Sequence, residues 1–431
     1  MKKIVATVAM AAAMMPAYAE VWTLDSCISY AISHNLTVKA RELDRQSGEL
    51  SVTEAKSGFL PTVSANASES FSFGRGLTAE NVYANRNTTN FQWGASASVP
   101  IFQGLSNMRK LKVARTSLRS LVHKLEAAKD DVTLNIISQY LQVLYCEEVM
   151  KTAVEQAELS RTQLERQKAL ASDGKIAEVE VLQATSQLAQ DELTVEDAKN
   201  DYTLALVDLA QLMQFDDIDG LTVAPLEESS PMIPSAESVY ASASVNNSSV
   251  KAAEIDITAA DEQIKVAQSG YLPSLSLNAG TGSSYYTVSG FNNSSFSSQM
   301  RDNFNTYIGF SLSIPIFDGL TTRNNVRRAK IQKFTAELQR DETRSNLFKT
   351  IQQAYYQAVG AQNKLNTCVT NEDVMRQSFE AMKEKYELGR ANSTEFEQSK
   401  TDYFKATLQR IQARYELILR HRILKFYAKM D

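Results

Sequence analysis

Hydrophobic and polar positions alternate along this chain with two different periods, and the pattern changes from one to the other at four places. Phe91, Trp93, Ala95, Ala97 and Val99 are separated by Gln92, Gly94, Ser96 and Ser98. This period of two predicts a strand with one apolar and one small, polar face. Val63, Ala65 and Ala67 alternate in the same way with Ser64, Asn66 and Ser68, and Phe71 and Phe73 continue the apolar set. Leu275, Leu277 and Ala279 do so with Ser276, Asn278 and Gly280, as do Ile308, Phe310, Leu312 and Ile314 with Gly309, Ser311 and Ser313. Elsewhere the period is helical. Leu111, Ala114, Leu118, Leu121, Leu125, Ala128 and Val132 alternate spacings of three and four, a heptad seam, and Ala198, Tyr202, Ala205, Leu209 and Leu212 form a second.

The places where the period changes are copied. Ser57-Gly58-Phe59-Leu60-Pro61-Thr62 returns as Ser269-Gly270-Tyr271-Leu272-Pro273-Ser274, and Val99-Pro100-Ile101-Phe102-Gln103-Gly104-Leu105 as Ile314-Pro315-Ile316-Phe317-Asp318-Gly319-Leu320. A repeat of this length indicates a duplicated half-molecule. Residues 20–219 form the first repeat and 236–431 the second, with a linker at 220–235 that contains Pro225, Pro231 and Pro234. Each repeat is predicted to run from a helix (24–57; 236–269) through a β-hairpin (about 61–101; about 273–316) into a long helical hairpin. The hairpins carry Asn/Ser-rich loops near 74–90 and 281–305.

Helix breakers are missing where the long helices are needed. Between Leu105 and Asp219 the one glycine is Gly174, and after Leu320 only Gly360 and Gly389 occur. Gly104 to Gly174 and Gly319 to Gly389 are both 70 residues apart, which allows helices of roughly 100 Å. Gly174 with Lys175 and Gly389 with Arg390 then mark hairpin tips. Return helices are expected at 177–213 and 392–428, with acidic first turns suited to the helix dipole.

Composition places this architecture. Residues 1–19 read as a signal peptide: Lys2 and Lys3, an apolar stretch from Ile4 to Met15, then Ala17-Tyr18-Ala19. Its removal takes the formal net charge from −5 to −7, which argues against nucleic acid as a partner. No later apolar run is long enough for a transmembrane helix, so entry into a membrane would use strands. Four strands cannot leave their edges unpaired in lipid. Two chains would give a barrel filled by side chains, whereas three give twelve strands around water, consistent with a Ser/Gly/Asn inner face. The expected fold is therefore a mixed α and β membrane protein. A homotrimer shares one twelve-stranded barrel in outer-membrane lipid, continued by a long periplasmic α-helical barrel of coiled-coil-like hairpins. Pro61, Pro100, Phe102, Gly104, Pro273, Pro315, Phe317 and Gly319 are assigned to the membrane-interface corners, the prolines stopping the strands. Glu69 falls on an apolar register, so it requires either a register shift or a place above the hydrocarbon.

The duplicated S-G-[FY]-L-P and [VI]-P-I-F-x-G-L corners and the two Gly-centred tips resemble the TolC-type outer-membrane efflux proteins over essentially the whole mature chain. The Phe73-Gly74-Arg75-Gly76 loop is similar to Bacteroidetes-like members. The resemblance implies tips that dock on a periplasmic adaptor, which joins an inner-membrane pump driven by protons or ATP, and a tube that opens near the tips like an iris. It assigns the closed aperture to Tyr386, Glu395, Gln398 and Glu180. Relative to the family pattern, the arginine two residues after the second tip glycine is replaced by Ala391, and one of two aperture aspartates by Gln398. A ring of such carboxylates would attract cations.

Nothing in the sequence suggests an enzyme or a cofactor. His34, His123 and His421 have no metal-ligand spacing, Cys27, Cys146 and Cys368 form no C-x-x-C, and there is no P-loop. The function these readings imply is an exit duct for efflux or type I secretion. The alternatives are a passive porin-like channel or stalked adhesin, and a soluble coiled-coil scaffold.

Overall fold

The computed structural model describes residues 21–77, 81–85, 87–218, 220–226 and 232–428. The signal-peptide segment and Pro231 lie outside them. A two-residue strand β1 (Val21–Trp22) leads into α1 (Leu24–His34) and α2 (Leu36–Ser57). β2 (Thr62–Ser72), the short β3 (Arg75–Leu77) and β4 (Tyr83–Asn85), and β5 (Thr88–Gln103) follow. Then come α3 (Ser106–Ser172), α4 (Glu178–Met213) and β6 (Thr222–Val223). The second half contains α5 (Ala236–Asn246), α6 (Ser248–Gln268), β7 (Ser274–Val288), α7 (Phe296–Asp302), β8 (Asn305–Ser313), α8 (Thr321–Glu387) and α9 (Ser393–Ala428). α3 and α8 each have 67 residues, and α4 and α9 each have 36, so the long helices of the two halves match in length, while the hairpin loops differ, with β3 and β4 in the first and α7 in the second.

Three expectations change. The opening helix of each half is two helices, broken at Asn35 and Asn247. Asn35 ends α1 with its N–H on the Ala31 carbonyl, starts α2 by accepting from the Thr37 N–H at 2.9 Å, and donates its amide to the Leu212 carbonyl. A short polar side chain that competes for local backbone groups makes this joint. Second, β7 continues through Val288 and the following loop contains α7, so the loop is shorter than the composition suggested. Third, Pro100 does not stop its strand. β5 passes through it to Gln103, with a register shift against β7 between Pro100 and Phe102. Proline has no N–H to donate, so a bulge accommodates it. The copied Pro315 lies beyond the end of β8 as predicted.

The chain packs as two compact units, each drawing on both sequence halves. One comprises the segments before 42, 125–248 and from 344. Its core gathers Leu24, Cys27 and Ala31 of α1, Ile136, Tyr140 and Val143 of α3, Leu209 and Met213 of α4, and Val223. β1 and β6 pair in parallel across it, and the Tyr140 hydroxyl reaches the carbonyls of Trp22 and Ala224 at 3.0 and 2.7 Å. Of the seam positions read from the sequence, Leu125, Ala128, Val132, Ala198, Ala205 and Leu209 are buried, whereas Leu111, Ala114, Leu118, Leu121, Tyr202 and Leu212 are half-buried.

The other unit, residues 42–124 and 249–343, holds an antiparallel four-stranded sheet in the order β2-β5-β7-β8. Val63, Ala97, Ala279 and Ile308 lie in one row across it, and Ala65, Ala95 and Thr281 in the next, so one face is apolar. Ser64, Ser96 and Gly280 share the opposite face. Glu69 keeps the apolar register opposite Phe91, which pairs with Tyr285. At this level α7 covers the sheet: Phe296 packs on Phe91 and Tyr285 at 5.8 and 5.1 Å, and the Ser283 hydroxyl donates to the Met300 carbonyl. Glu69 is seven residues, roughly 23 Å along the strand, from Thr62 at its start.

Candidate functional site: tips and aperture

Both long helices end in the same turn. The Gly174 N–H bonds the Ala171 carbonyl and the Lys175 N–H the Leu170 carbonyl, both at 2.9 Å. At the second tip Gly389 bonds Tyr386 at 3.0 Å and Arg390 bonds Lys385 at 2.8 Å. Gly174 and Gly389 hold φ of 72° and 69°, the left-handed position that this paired-bond motif requires. Lys175 pairs with Asp173, and both tip cations are exposed.

The tyrosine of the second tip stands between the hairpins. Its hydroxyl accepts from the Gln167 amide of α3, and its ring stacks on Phe396 with centroids 4.8 Å apart. The Arg166 guanidinium lies 5.4 Å from the ring centroid and donates to the Glu387 carbonyl. Burial pushes the Tyr386 pKa up; Arg166 opposes this, and the charge of Glu180 adds to it. Glu180 thus lies close enough for its charge to act on the Tyr386 phenol. Gln167 and Arg166 were not legible in the sequence, because their position on α3 matters only once two helices more than two hundred residues apart are packed.

Glu395 has a second occupation. Asn392 accepts from the Glu395 N–H at 2.8 Å, while the Glu395 carboxylate accepts from the Asn392 N–H at 3.1 Å. This is a capping box, and Asn392-Ser393-Thr394-Glu395 could have disclosed it. Glu395, Gln398 and Asp402 nonetheless share an exposed groove of about 440 Å³ with Met375 and Met382 of α8. Gln398 donates to Asp402 at 3.0 Å. Asp402 thus places a carboxylate one turn beyond Gln398.

Glu397 turns inward to Lys400. Lys400 is fully buried, with its ammonium 2.7 Å from Glu397, 2.6 Å from the Ser160 hydroxyl and 3.2 Å from Asp191. The sequence carried a signal here. Asp191 stands seven residues before the seam residue Ala198, and Lys400 lies between Phe396 and Phe404 on one helix stripe.

The corners are built from close approaches. The Asn107 amide donates to the Gly58 carbonyl at 2.5 Å. Gly104 fits so tightly against the next corner that a Cβ there would lie 2.7 Å from the Ser269 carbonyl and 2.8 Å from Leu272. Its copy Gly319 has nothing within 4 Å, and Phe317 beside it is 80% exposed. Pro61 and Pro273 directly precede β2 and β7. Among the described residues no cluster fit to hold a metal ion occurs, and no helix is long and apolar enough to cross a membrane.

A sheet with one apolar face, joined directly to paired 67-residue helices in a duplicated chain, defines an outer-membrane channel with a helical extension. The chain belongs to the outer membrane efflux protein family, which it matches over residues 27–213 and 239–425. It is 23% identical to the outer membrane protein TolC of Escherichia coli over 405 residues, 89% of this chain and 78% of that one. It is 24% identical to the protein CyaE of Bordetella pertussis, over 73% of this chain and 63% of CyaE. Its fold superposes on the Campylobacter jejuni CmeC outer membrane channel with a TM-score of 0.76 at 18% identity, covering 94% and 85% of the two chains. It is a transport protein of the outer membrane and an exit duct of efflux or secretion systems.

Proposed function

We propose that three copies of this chain close one twelve-stranded barrel, and that the tips at Gly174–Lys175 and Gly389–Arg390 receive a periplasmic adaptor linked to an inner-membrane pump. One observation carries the assembly. The repeat predicts that Gly319 should be packed as Gly104 is, yet the space beside it is open, and β2 and β8 each have a free edge. The segment equivalent to Ser269–Leu272 is Ser57–Leu60, just before β2. In this chain Phe59 and Leu60 are 45% and 59% exposed. Pairing β8 with β2 of the next copy fills Gly319, covers Phe317 and satisfies both edges.

Applying the β5–β7 register to that junction puts Leu312 opposite Ala67 of the next copy. Leu312→Cys combined with Ala67→Cys should therefore form an intermolecular disulfide on oxidation and migrate as three chains. Outer-membrane protein that stays uncross-linked would sink the assembly. The aperture reading places Tyr386, Glu180, Glu395 and Gln398 at the narrow end of the duct. It is supported by the contact of Tyr386 with Gln167 across the two hairpins and by the exposed acidic groove beside it. The repeats 20–219 and 236–431 are, in this reading, the two quasi-equivalent halves of each chain's share of the wall.

A further inference from the structure

α3 has two different sides at mid-length. Ile136, Tyr140 and Val143 face the core built with β1 and β6. Ser138, Gln142 and Tyr145 lie on the opposite side, since successive residues of a helix turn by about 100°. There a recess of about 530 Å³ opens between α3, α8 and α9, within the size range of small-molecule sites. Its apolar wall is Leu141, Leu419 and the rings of Tyr145 and Tyr415, set edge to face with centroids 6.2 Å apart. Two cations and one carboxylate line the rest. Lys364 pairs with Glu416 at 3.0 Å, and both side chains are open to water. The Nε–H of Arg420 is buried and meets no acceptor among the described residues. A buried donor without an acceptor is costly, and this one lines a recess with a surplus positive charge.

The duplication indicates that the long helices do not need these groups in order to pack. Aligned on Gly104 and Gly319, Tyr145 corresponds to Gly360, Lys364 to Val149 and Arg420 to Ala205. One half of the chain thus carries a ring and two cations where the other carries small or apolar residues. The recess also faces a defined way. α1, β1 and β6 cover the other side of α3. Three such covers inside a closed helical tube would fill it, so in the duct reading they lie outside and the recess opens on the lumen.

We propose that this recess is a lumenal binding site for an amphipathic organic acid, its ring body against Tyr145, Tyr415, Leu141 and Leu419 and its acid group on Arg420 and Lys364. A single acid group balances the surplus charge and gives the Arg420 Nε–H a charge-assisted bond, whereas a neutral or cationic amphiphile leaves that donor unmet. The inference rests on the duct reading above and deepens it by naming a class of ligand for the wall. The test uses the full-length protein in vesicles of neutral lipid, a cholate analogue carrying a photoreactive diazirine, and peptide mapping by mass spectrometry. Labelling should concentrate at 138–145 and 412–420, and be displaced by excess cholate but not by the uncharged steroid alcohol. Arg420→Gln should cut the displaceable labelling at least fivefold, and Arg420→Lys should retain most of it. Ser138→Trp, at an exposed position, fills the recess without touching either cation and should abolish it. Label spread over the apolar face of the sheet and not displaced by cholate would overturn the site. So would full labelling in both Arg420→Gln and Ser138→Trp. The wild-type protein is also inserted into planar bilayers. Channels without displaceable label remove the site alone, whereas displaceable label on a protein that forms no channel removes the duct reading and the lumenal placement with it, so the two failures are distinguishable.

Discussion

Burial raises the Tyr140 pKa to about 12 from the ordinary 10.0, with the neighbouring Cys27 adding to the shift. The folded state therefore holds this proton more tightly than the unfolded chain, and the associated stability is complete below pH 10 and lost as pH rises from 10 to 12. Alkaline titration of the helical circular dichroism should show weakening in that window. Tyr140→Phe should flatten the slope there, although it lowers stability at neutral pH by removing the hydroxyl contacts with Trp22 and Ala224. Glu395 calls for similar care. Its carboxylate caps α9, so removing the whole side chain would confuse gate and helix. Glu395→Gln keeps an acceptor for the Asn392 N–H and removes the charge. It should lower cation preference and block by multivalent cations in bilayers while leaving the thermal melt unchanged; unaltered block would displace Glu395 from the aperture.

At the scale of the element, the long helices follow from what the sequence leaves out as much as from what it contains. α3 runs from Ser106 to Ser172 with no glycine or proline, and its heptad positions from Leu125 to Val132 are buried while those from Leu111 to Leu121 are half-buried. Leu209 on α4 is wholly buried in that packing. Leu209→Ala should cost about 2–5 kcal/mol, the range for a large-to-small change in a close-packed interior, read from the denaturant midpoint of the helix signal. Breaks were harder to foresee than continuity. The Asn35 joint depends on an amide that reaches the end of α4 at Leu212, and α7 depends on a platform of Phe91 and Tyr285 from two different strands. Pro100 shows the same dependence, since the strand continues past it because β7 is there to pair with, while β8 stops short of Pro315 at a free edge.

At the scale of the whole molecule, the duplicated chain is a template missing one contact per copy. Every corner relation inside it, Gly58 with Asn107, Gly270 with Thr322 and Gly104 with Leu272, is present, and the one that would complete the cycle at Gly319 is open. The exposed Ile316 and Phe317 mark that junction. Phe317→Ala should therefore leave the single chain's fold intact but lower the temperature at which the oligomer separates on a gel. An unchanged separation temperature would mean that no neighbour packs there.

Periodicity, glycine and proline placement, and the duplication were enough to specify the four strands of the sheet, two long hairpins, their turns and the places where strand gives way to helix, because each is a local consequence of side-chain spacing and backbone freedom. Heptad spacing also marked the faces that are buried from Leu125 to Val132 and at Ala198, Ala205 and Leu209. What the linear pattern could not decide is which buried faces meet. Tyr386 with Gln167, Lys400 with Asp191, and the single-chain neighbour of Gly104 but not of Gly319 join positions far apart in sequence. Those pairings depend on the three-dimensional register of whole helices and strands. A charge at a seam position reads as a defect until the opposite charge, 209 residues away, is brought against it.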